Sequence, residues 1–201
     1  MSALPHVAGT VLPASPCSPI AFVVNGTESN SGDIAVACAD GSGFSRLTDG
    51  AASDDLPAWS PDGAYIAFAR AEQGPSQIYV MEADGSRLRQ VTSDYSNAFP
   101  IWLPGGQEIA FESTDNDGLW WWRAIQADGS GATRQLTEPS YDWFFQTQRW
   151  SPDGLRVAYM SLNEQQARND GSSQIHIRDA DGTHDAALNA DVWANVNPLW
   201  S

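Results

Sequence analysis

The sequence predicts an all-β protein assembled from repeated four-stranded units, and three observations support this fold class. A Trp-Ser-Pro-Asp-Gly motif at residues 59–63 returns at residues 150–154, with a degenerate copy at 102–106. An Ala-Asp-Gly motif occurs four times, beginning at residues 39, 83, 127 and 180. No window of about 12 residues shows a convincing helical period, so we expect few helices.

Each unit contains the sequence signals of four short strands. The first strand ends at the Trp-Ser pair, and Pro-Asp-Gly forms the next turn because proline fixes φ and glycine accepts a left-handed conformation. A triplet of the type Ile66-Ala67-Phe68 forms the second strand, and a run such as residues 78–81 forms the third. Asp-Gly then turns the chain into a fourth strand, which ends in Leu-Thr, as at Leu47-Thr48.

The second and third strands are apolar on both faces, which is expected when a sheet is covered on each side by another sheet. The repeat tryptophans at positions 59, 102, 150 and 200 are 43 to 50 residues apart. Four-stranded sheets of this length that stack face to face are the blades of a β-propeller. The sequence therefore predicts a β-propeller of four-stranded antiparallel blades, with four blades' worth of strands.

The expected limits are an irregular N-terminal segment at residues 1–17 and blades at about 18–48, 56–92, 98–137 and 146–189. The first unit has no Trp-Ser strand of its own, whereas residues 196–201 have the sequence of such a strand. We therefore expect residues 196–201 to pair with the strand near Ile20 and complete the first blade. A closed four-bladed chain, a head-to-tail homodimer and a piece of a larger propeller remain open alternatives.

Blade two matches a known repeat almost letter for letter. Residues 57–92 contain Pro-Ala-Trp-Ser-Pro-Asp-Gly, Ile-Ala-Phe and Ile-Tyr-Val-Met-Glu-Ala-Asp-Gly-Ser in order. The pattern resembles the TolB-type β-propeller repeat, and the resemblance extends from about residue 18 to residue 201. It implies a non-catalytic scaffold that binds a protein or peptide in the periplasm or outside the cell. Because some peptidases carry such propellers, a fragment or subunit that gates substrate for a hydrolase is the alternative.

Composition excludes several classes of function. The formal net charge is −15, and all ten basic residues are arginines. Without lysine, the chain has no Walker-type phosphate loop and no Schiff-base chemistry. The negative charge argues against binding to nucleic acid. No segment reaches the roughly 18 apolar residues of a membrane span, and no signal peptide is visible in this chain, so we expect no membrane insertion.

The sequence predicts no catalytic residues and one weak metal-binding site. The G-x-S-x-G nucleophile motif is absent, and no pair of the three histidines has the spacing of a helical zinc site. We therefore expect no enzyme activity and no cofactor. Asp115 and Asp117 form a weak candidate calcium loop, but its twelfth position is Ala124 instead of glutamate. A tight turn is the alternative.

The two cysteines are a candidate disulfide. Cys17 precedes the second strand of the first unit and Cys38 ends its third strand, so pairing of these strands brings the two residues nearly opposite each other. A disulfide fits an oxidising compartment. Two buried free thiols are the alternative.

Candidate binding residues lie on the face that carries the variable loops, because the opposite face carries nearly uniform short turns. Aromatic residues flanked by polar ones are typical of interaction sites. In addition, one predicted innermost strand carries an arginine, which could offer its positive charge to a ligand. The candidates are Tyr95, Tyr141, Trp143, Phe144, Arg149 and Trp193. The rings could instead cap gaps between blades, and the arginine could form an ion pair between blades. A carbohydrate-binding module is a third class of function.

The aromatic loop provides a first test. Trp143→Ala is expected to weaken ligand binding by about 2 kcal/mol and leave the melting temperature nearly unchanged. Trp59→Ala is expected to do the reverse, with a loss of about 3–5 kcal/mol of stability, because the repeat tryptophan packs in the core. Thermal unfolding and a binding titration check both variants, and equal destabilisation would show that Trp143 only packs.

Overall fold

The computed structural model describes residues 19–26, 31–137, 149–151, 155–161, 172–179, 183–188 and 192–193. These residues form strands, turns and bends, with no helix among them. In this part of the chain there is accordingly no helix long and apolar enough to cross a membrane.

The described strands form four antiparallel sheets. The first contains β1 (Pro19–Asn25), β2 (Gly32–Cys38) and β3 (Ser45–Arg46). The second contains β4 (Ser53–Trp59), β5 (Tyr65–Ala71), β6 (Gln77–Glu82) and β7 (Arg89–Gln90). The third contains β8 (Ser96–Trp102), β9 (Glu108–Thr114), β10 (Trp120–Gln126) and β11 (Arg134–Gln135). The fourth contains β12 (Arg149–Trp150), β13 (Arg156–Ser161), β14 (Ser172–Asp179), β15 (Ala186–Ala187) and β16 (Val192–Trp193).

This architecture confirms the predicted all-β fold of four-stranded antiparallel blades. The central strands β5 and β9 are buried along both faces, as their sequences predict. The described part of the first sheet has three strands, and residues 196–201, predicted to complete it, lie outside the described residues. Two details differ from expectation. The innermost strands β4 and β8 begin at Ser53 and Ser96, a few residues before the predicted blade starts at 56 and 98. In the fourth sheet, β16 adds a short fifth strand beside β14.

Side-chain hydrogen bonds explain why the Trp-Ser-Pro-Asp-Gly motif makes its turn. The hydroxyl of Ser60 accepts a hydrogen bond from the backbone N–H of Tyr65 at 2.9 Å and donates one to Asp62 at 2.6 Å. Gly63 has a φ of 70°, a left-handed conformation that glycine adopts without steric cost. In the fourth sheet, Ser151 accepts the N–H of Arg156 in the same way at 3.0 Å.

The Leu-Thr signature has a comparable local cause. The hydroxyl of Thr92 accepts the backbone N–H of Ile78 at 2.9 Å, and Thr48 accepts that of Ile34 at 2.8 Å. Thr137 binds the N–H of Trp122 in the third sheet at 2.9 Å. Each threonine thus satisfies a buried N–H of the third strand of its blade, which would otherwise lack a partner.

Adjacent sheets pack face to face through their apolar side chains. The core between the second and third sheets includes Ile78, Val80, Ile109 and Phe111. Trp102 lies at this interface, and its Nε1–H donates a hydrogen bond to the carbonyl oxygen of Ala58 in the preceding sheet at 3.0 Å. The repeat tryptophan therefore links two blades as well as filling space between them.

Loss of one threonine hydroxyl tests this account of the fold. Thr92→Val keeps the shape of the side chain but leaves the buried N–H of Ile78 without an acceptor, and we expect a loss of about 1–3 kcal/mol in the free energy of unfolding. Urea denaturation measures this loss. The matched control is Thr114→Val, since the half-buried hydroxyl of Thr114 makes no hydrogen bond within the described chain. Equal effects of the two substitutions would contradict the role assigned to Thr92.

Candidate functional site

Tyr95 is the predicted binding residue that the structure describes most fully. It lies in the loop that enters the third sheet, is 47% exposed and has a φ of 55°. Its ring packs against the Trp121 ring in a T-shaped arrangement, with a centroid distance of 4.9 Å and an interplanar angle of 80°. The guanidinium of Arg123 lies 5.3 Å from the centre of the Tyr95 ring. The tyrosine is therefore presented to solvent on a support formed by strand β10.

An ion pair fixes the loop beneath this tyrosine. Two nitrogen atoms of Arg123 donate to the two carboxylate oxygens of Asp94, each at 2.9 Å. Arg123 is buried, and it also donates to the hydroxyl of Thr133. A bidentate pair of this kind fixes both the distance and the orientation of its partners. The loop before β8 is thus held in place by a strand that follows it by almost thirty residues.

Buried amides continue this network towards the second sheet. Asn97 is fully buried; its amide donates to the side chain of Gln77 at 3.0 Å, and its oxygen accepts the hydroxyl of Ser113 at 2.6 Å. Gln77 in turn donates to the carbonyl of Tyr95 at 2.8 Å. These bonds join the edges of the second and third sheets at the loop face.

The innermost strands contain two unusual backbone positions. Leu56 and Phe99 stand three residues before the repeat tryptophans, each followed by proline, with φ values of 56° and 52°. The pairing register shifts at both positions. Such conformations cost about 1–3 kcal/mol in a residue other than glycine and often accompany functional sites. The bulge leaves Phe99 39% exposed, a second aromatic ring available to a ligand.

A polar groove lies between the loop that leads into the second sheet and the end of β5. Arg70, one of its lining residues, forms two hydrogen bonds with Asp54, at 2.6 and 2.8 Å, and both residues are buried. The guanidinium also lies 5.2 Å from the centre of the Tyr79 ring. The groove has a volume of about 590 Å³ and is lined by Asp49, Ala51, Ala52, Arg70, Glu72 and Gln73.

The structure describes the other predicted binding residues less fully. Tyr141, Trp143 and Phe144 lie outside the described residues. Arg149 and Trp193 are described only as backbone, in β12 and β16. The site that can be built from the structure therefore consists of Tyr95 with residues that the sequence did not indicate. The signal for Phe99 was an aromatic residue before the proline of an innermost strand.

The loop that contains the calcium candidates Asp115 and Asp117 forms a tight turn. One carboxylate oxygen of Asp115 accepts the backbone N–H groups of Asp117 and Leu119 at 3.0 and 2.9 Å. Within the described ranges there is no group of three or more acidic, histidine or cysteine side chains that could hold a metal ion. Cys38 is disulfide-bonded. Cys17, the other cysteine of the sequence, lies outside the described residues.

Glu112 is a buried acid that the sequence did not single out. It lies in β9 opposite Trp122, is 3% exposed and has no hydrogen-bond partner in the described part of the chain. Burial raises the pKa of Glu112 from an ordinary value of 4.5 to about 7. Because desolvation disfavours the charged form, the carboxyl group takes up a proton near neutral pH.

Stacked four-stranded sheets, repeated hairpin turns and a variable loop face define this chain as a β-propeller protein. Its sequence matches the TolB beta propeller domain over residues 13–201. The chain belongs to this family, which confirms the resemblance drawn from the repeat motifs.

Similar proteins include TolB proteins and a peptidase. A TolB homolog from Chlorobium chlorochromatii is 32% identical over 145 residues, which are 72% of this chain and 31% of that protein. Dipeptidyl-peptidase 5 from Porphyromonas gingivalis is 44% identical over 118 residues, 53% of this chain and 17% of that protein. The structure of TolB from Acinetobacter baumannii superposes with a TM-score of 0.63 at 21% identity, covering 85% of this chain and 40% of the other. The chain spans less than half the length of the curated relatives it matches.

The raised pKa of Glu112 predicts a pH dependence of stability. Stability from the protonated acid is fully present below about pH 4.5 and is lost as the pH rises through about 7. Glu112→Gln, which cannot ionise, is therefore expected to be more stable than the parent by about 1–3 kcal/mol at pH 8 and nearly equal to it at pH 4. Urea denaturation across this range measures the difference.

A surface substitution provides the control for this prediction. Glu72→Gln, which changes an exposed loop carboxylate, is measured alongside as the surface control. If the stability curve of Glu112→Gln against pH runs parallel to that of the parent, the assignment of the raised pKa to Glu112 is wrong.

Proposed function

We propose that this chain is a non-catalytic β-propeller scaffold that binds a protein or peptide through its loop face and the mouth of its channel. The observation that carries this proposal is the exposed pair Tyr95 and Phe99, each held at a positive φ. Large exposed aromatic rings on rigid supports are typical of the residues that dominate binding energy at protein interfaces.

The electrostatics of this face suggest the chemistry of the ligand. The arginines Arg70 and Arg123 are each engaged by an aspartate, whereas Asp49 and Glu72 line the groove without a described ion pair. A peptide with basic side chains would meet carboxylates here, and its apolar side chains would meet Tyr95 and Phe99. Such complementarity of charge favours association and the correct partner over others.

We further infer that the protein works in the periplasm as part of a Tol-Pal-type assembly. Several relatives of this chain are named Tol-Pal system protein TolB. The identity to a TolB homolog over most of this chain supports the inference. The disulfide of Cys38 is consistent with an oxidising compartment.

The second candidate function is a propeller that controls access of substrate to a peptidase. It is favoured by the 44% identity with part of dipeptidyl-peptidase 5. The present chain contains no nucleophile motif for such chemistry. On this alternative, the chain would alter the activity of a separate or attached hydrolase, but would not cleave substrate by itself.

Replacement of the exposed ring tests the proposed site. Tyr95→Asn removes the ring, and asparagine tolerates the left-handed backbone of this position. With a Pal protein as the probe, we expect the affinity to fall roughly 30-fold, which corresponds to the usual contribution of an interface anchor. Isothermal titration measures the affinity, and the melting temperature is expected to stay within a few degrees of the parent value.

An exposed aromatic ring on the opposite face is the matched control. Phe44 is exposed and lies between the Asp-Gly turn and β3, so Phe44→Ala is expected to leave the affinity unchanged. An unchanged affinity of Tyr95→Asn would contradict the site. Absence of binding by the parent chain would instead contradict Pal as the partner.

A further inference from the structure

A second cavity lies between the second and third sheets, at the end of the sheets opposite to Tyr95. Tyr95 stands before the first residue of β8, whereas the cavity is formed around its last residue, Trp102, where the short turns of the two sheets meet. Its volume is about 220 Å³, which is room for roughly seven water molecules at about 30 Å³ each. The side chains that line it include Tyr65, Arg89, Trp102, Gln107, Gln126 and Asp128.

The repeat shows which of these side chains belong to the scaffold and which are particular to the cavity. Trp102 and Asp128 recur in the preceding repeat as Trp59 and Asp84. The four other positions change from one interface to the next. At the equivalent positions between the first and second sheets, Tyr65, Arg89, Gln107 and Gln126 are replaced by Pro19, Ser45, Ala64 and Glu82, respectively. The turns are alike at both interfaces, so the turn geometry does not explain this aromatic and polar set.

The same replacements change the charge of the cavity. Between the first and second sheets, the equivalent positions carry Glu82 and Asp84, a formal charge of −2. Between the second and third sheets, Arg89 and Asp128 cancel each other, because position 126 is glutamine. Like charges brought together oppose binding. The cavity therefore lacks the excess of negative charge that would repel a ligand carboxylate from the equivalent position of the preceding interface.

Arg89 is a cation that no carboxylate contacts within the described chain. Its Nη2 donates to the carbonyl of Ala127 at 2.8 Å, and its guanidinium lies 5.8 Å from the centre of the Tyr65 ring. Its Nε is buried and has no acceptor among the described residues. Arg134, at the same place in the next repeat, forms an ion pair with Glu108 at 3.0 Å, and Tyr65 occupies the position equivalent to that glutamate. The hydrogen bonds of Arg89 are thus incomplete, which is unusual for a partly buried guanidinium.

The groups around Arg89 suit an amide beside that missing acceptor. Gln126 is exposed and makes no hydrogen bond within the described chain, so its carboxamide is free both to donate and to accept. Hydrogen bonds from Ser130, and then the charge of Arg89, lower the pKa of Asp128, which is therefore an ionised acceptor at neutral pH. The stacked rings of Tyr65 and Trp102, with centroids 6.2 Å apart, form an apolar wall.

We propose that this cavity binds the C-terminal residue of a peptide. Arg89 donates to the terminal carboxylate, which supplies the acceptor that the guanidinium lacks, in a charge-assisted hydrogen bond. At the exposed mouth, Gln126 and Asp128 accept the backbone N–H groups of the last residues. The aromatic wall contacts the side chain of the terminal residue, and the small volume admits one residue of this kind. Capture of a terminal carboxylate is a recurring mode of peptide recognition, and this site is separate from the one around Tyr95.

Two peptides that differ only at their C-terminus test this proposal on the full chain. Acetyl-Ala-Ala with a free carboxylate and the same peptide with a terminal carboxamide are titrated against the protein, and the NMR signals of the Gln126 side-chain amide and the Trp102 indole N–H are followed. We expect saturable shifts with the free carboxylate and at least tenfold weaker binding of the carboxamide. Equal affinities, or no saturable shift with either peptide, would overturn the proposal. Acetate that binds as tightly as the peptide would show a site for a free small acid, and would overturn it as well.

Substitutions in the cavity provide a second, independent measurement. Arg89→Gln removes the cation, and we expect the affinity for the free-carboxylate peptide to fall at least tenfold. Because Arg89 also holds the carbonyl of Ala127, Gln126→Glu is the second variant: it introduces the carboxylate that Glu82 carries in the preceding repeat, so it is expected to repel the peptide to a similar extent with an unchanged melting temperature. Arg134→Gln is the matched control and is expected to leave the affinity within twofold of the parent. An affinity within twofold of the parent for Gln126→Glu, or for folded Arg89→Gln, would refute the assigned site.

Discussion

The packing of each sheet against the face of the next is the constraint on which the rest of the structure depends. Phe68 is fully buried between the first and second sheets and Phe111 between the second and third, and the small side chains Ala67 and Ala110 let the backbones approach. Gly85 shows how close this approach is, since a Cβ atom there would lie 3.0 Å from the carbonyl oxygen of Leu47 in the preceding sheet. A sheet with an uncovered face or edge loses this stabilisation, so each blade depends on its neighbours.

Burial on both faces requires an internal partner for every polar group in the sheet. Threonine hydroxyls satisfy the N–H groups that the short fourth strands leave open, and serine hydroxyls do the same at the hairpin turns. Asp54 and Arg70 are buried as a bidentate pair, which avoids the cost of an isolated charge. Glu112 has no such partner, and its carboxyl group responds to burial by holding its proton at higher pH.

The same packing determines where variation can occur. Turns on one face repeat the same hydrogen bonds, as at Asp84 and Asp128, whose carboxylates accept the N–H groups of Ser86 and Ser130. Loops on the other face differ in length and sequence, and the rigid sheets beneath them support exposed rings. Tyr95 and Phe99 combine exposure with a positive φ, a conformation that persists only where the surrounding structure imposes it.

The sequence by itself determined the fold, because the turn residues and apolar triplets of each blade act locally and recur at nearly constant spacing. It also indicated Tyr95, since an aromatic residue in a polar loop is recognisable without coordinates. The partners of this residue were decided by the tertiary structure. Asp94 and Arg123 are far apart along the chain and meet only because the third sheet brings β10 beside the loop that enters it. The raised pKa of Glu112 likewise depends on which strands are neighbours, and that is a property of the packed sheets and not of any local sequence.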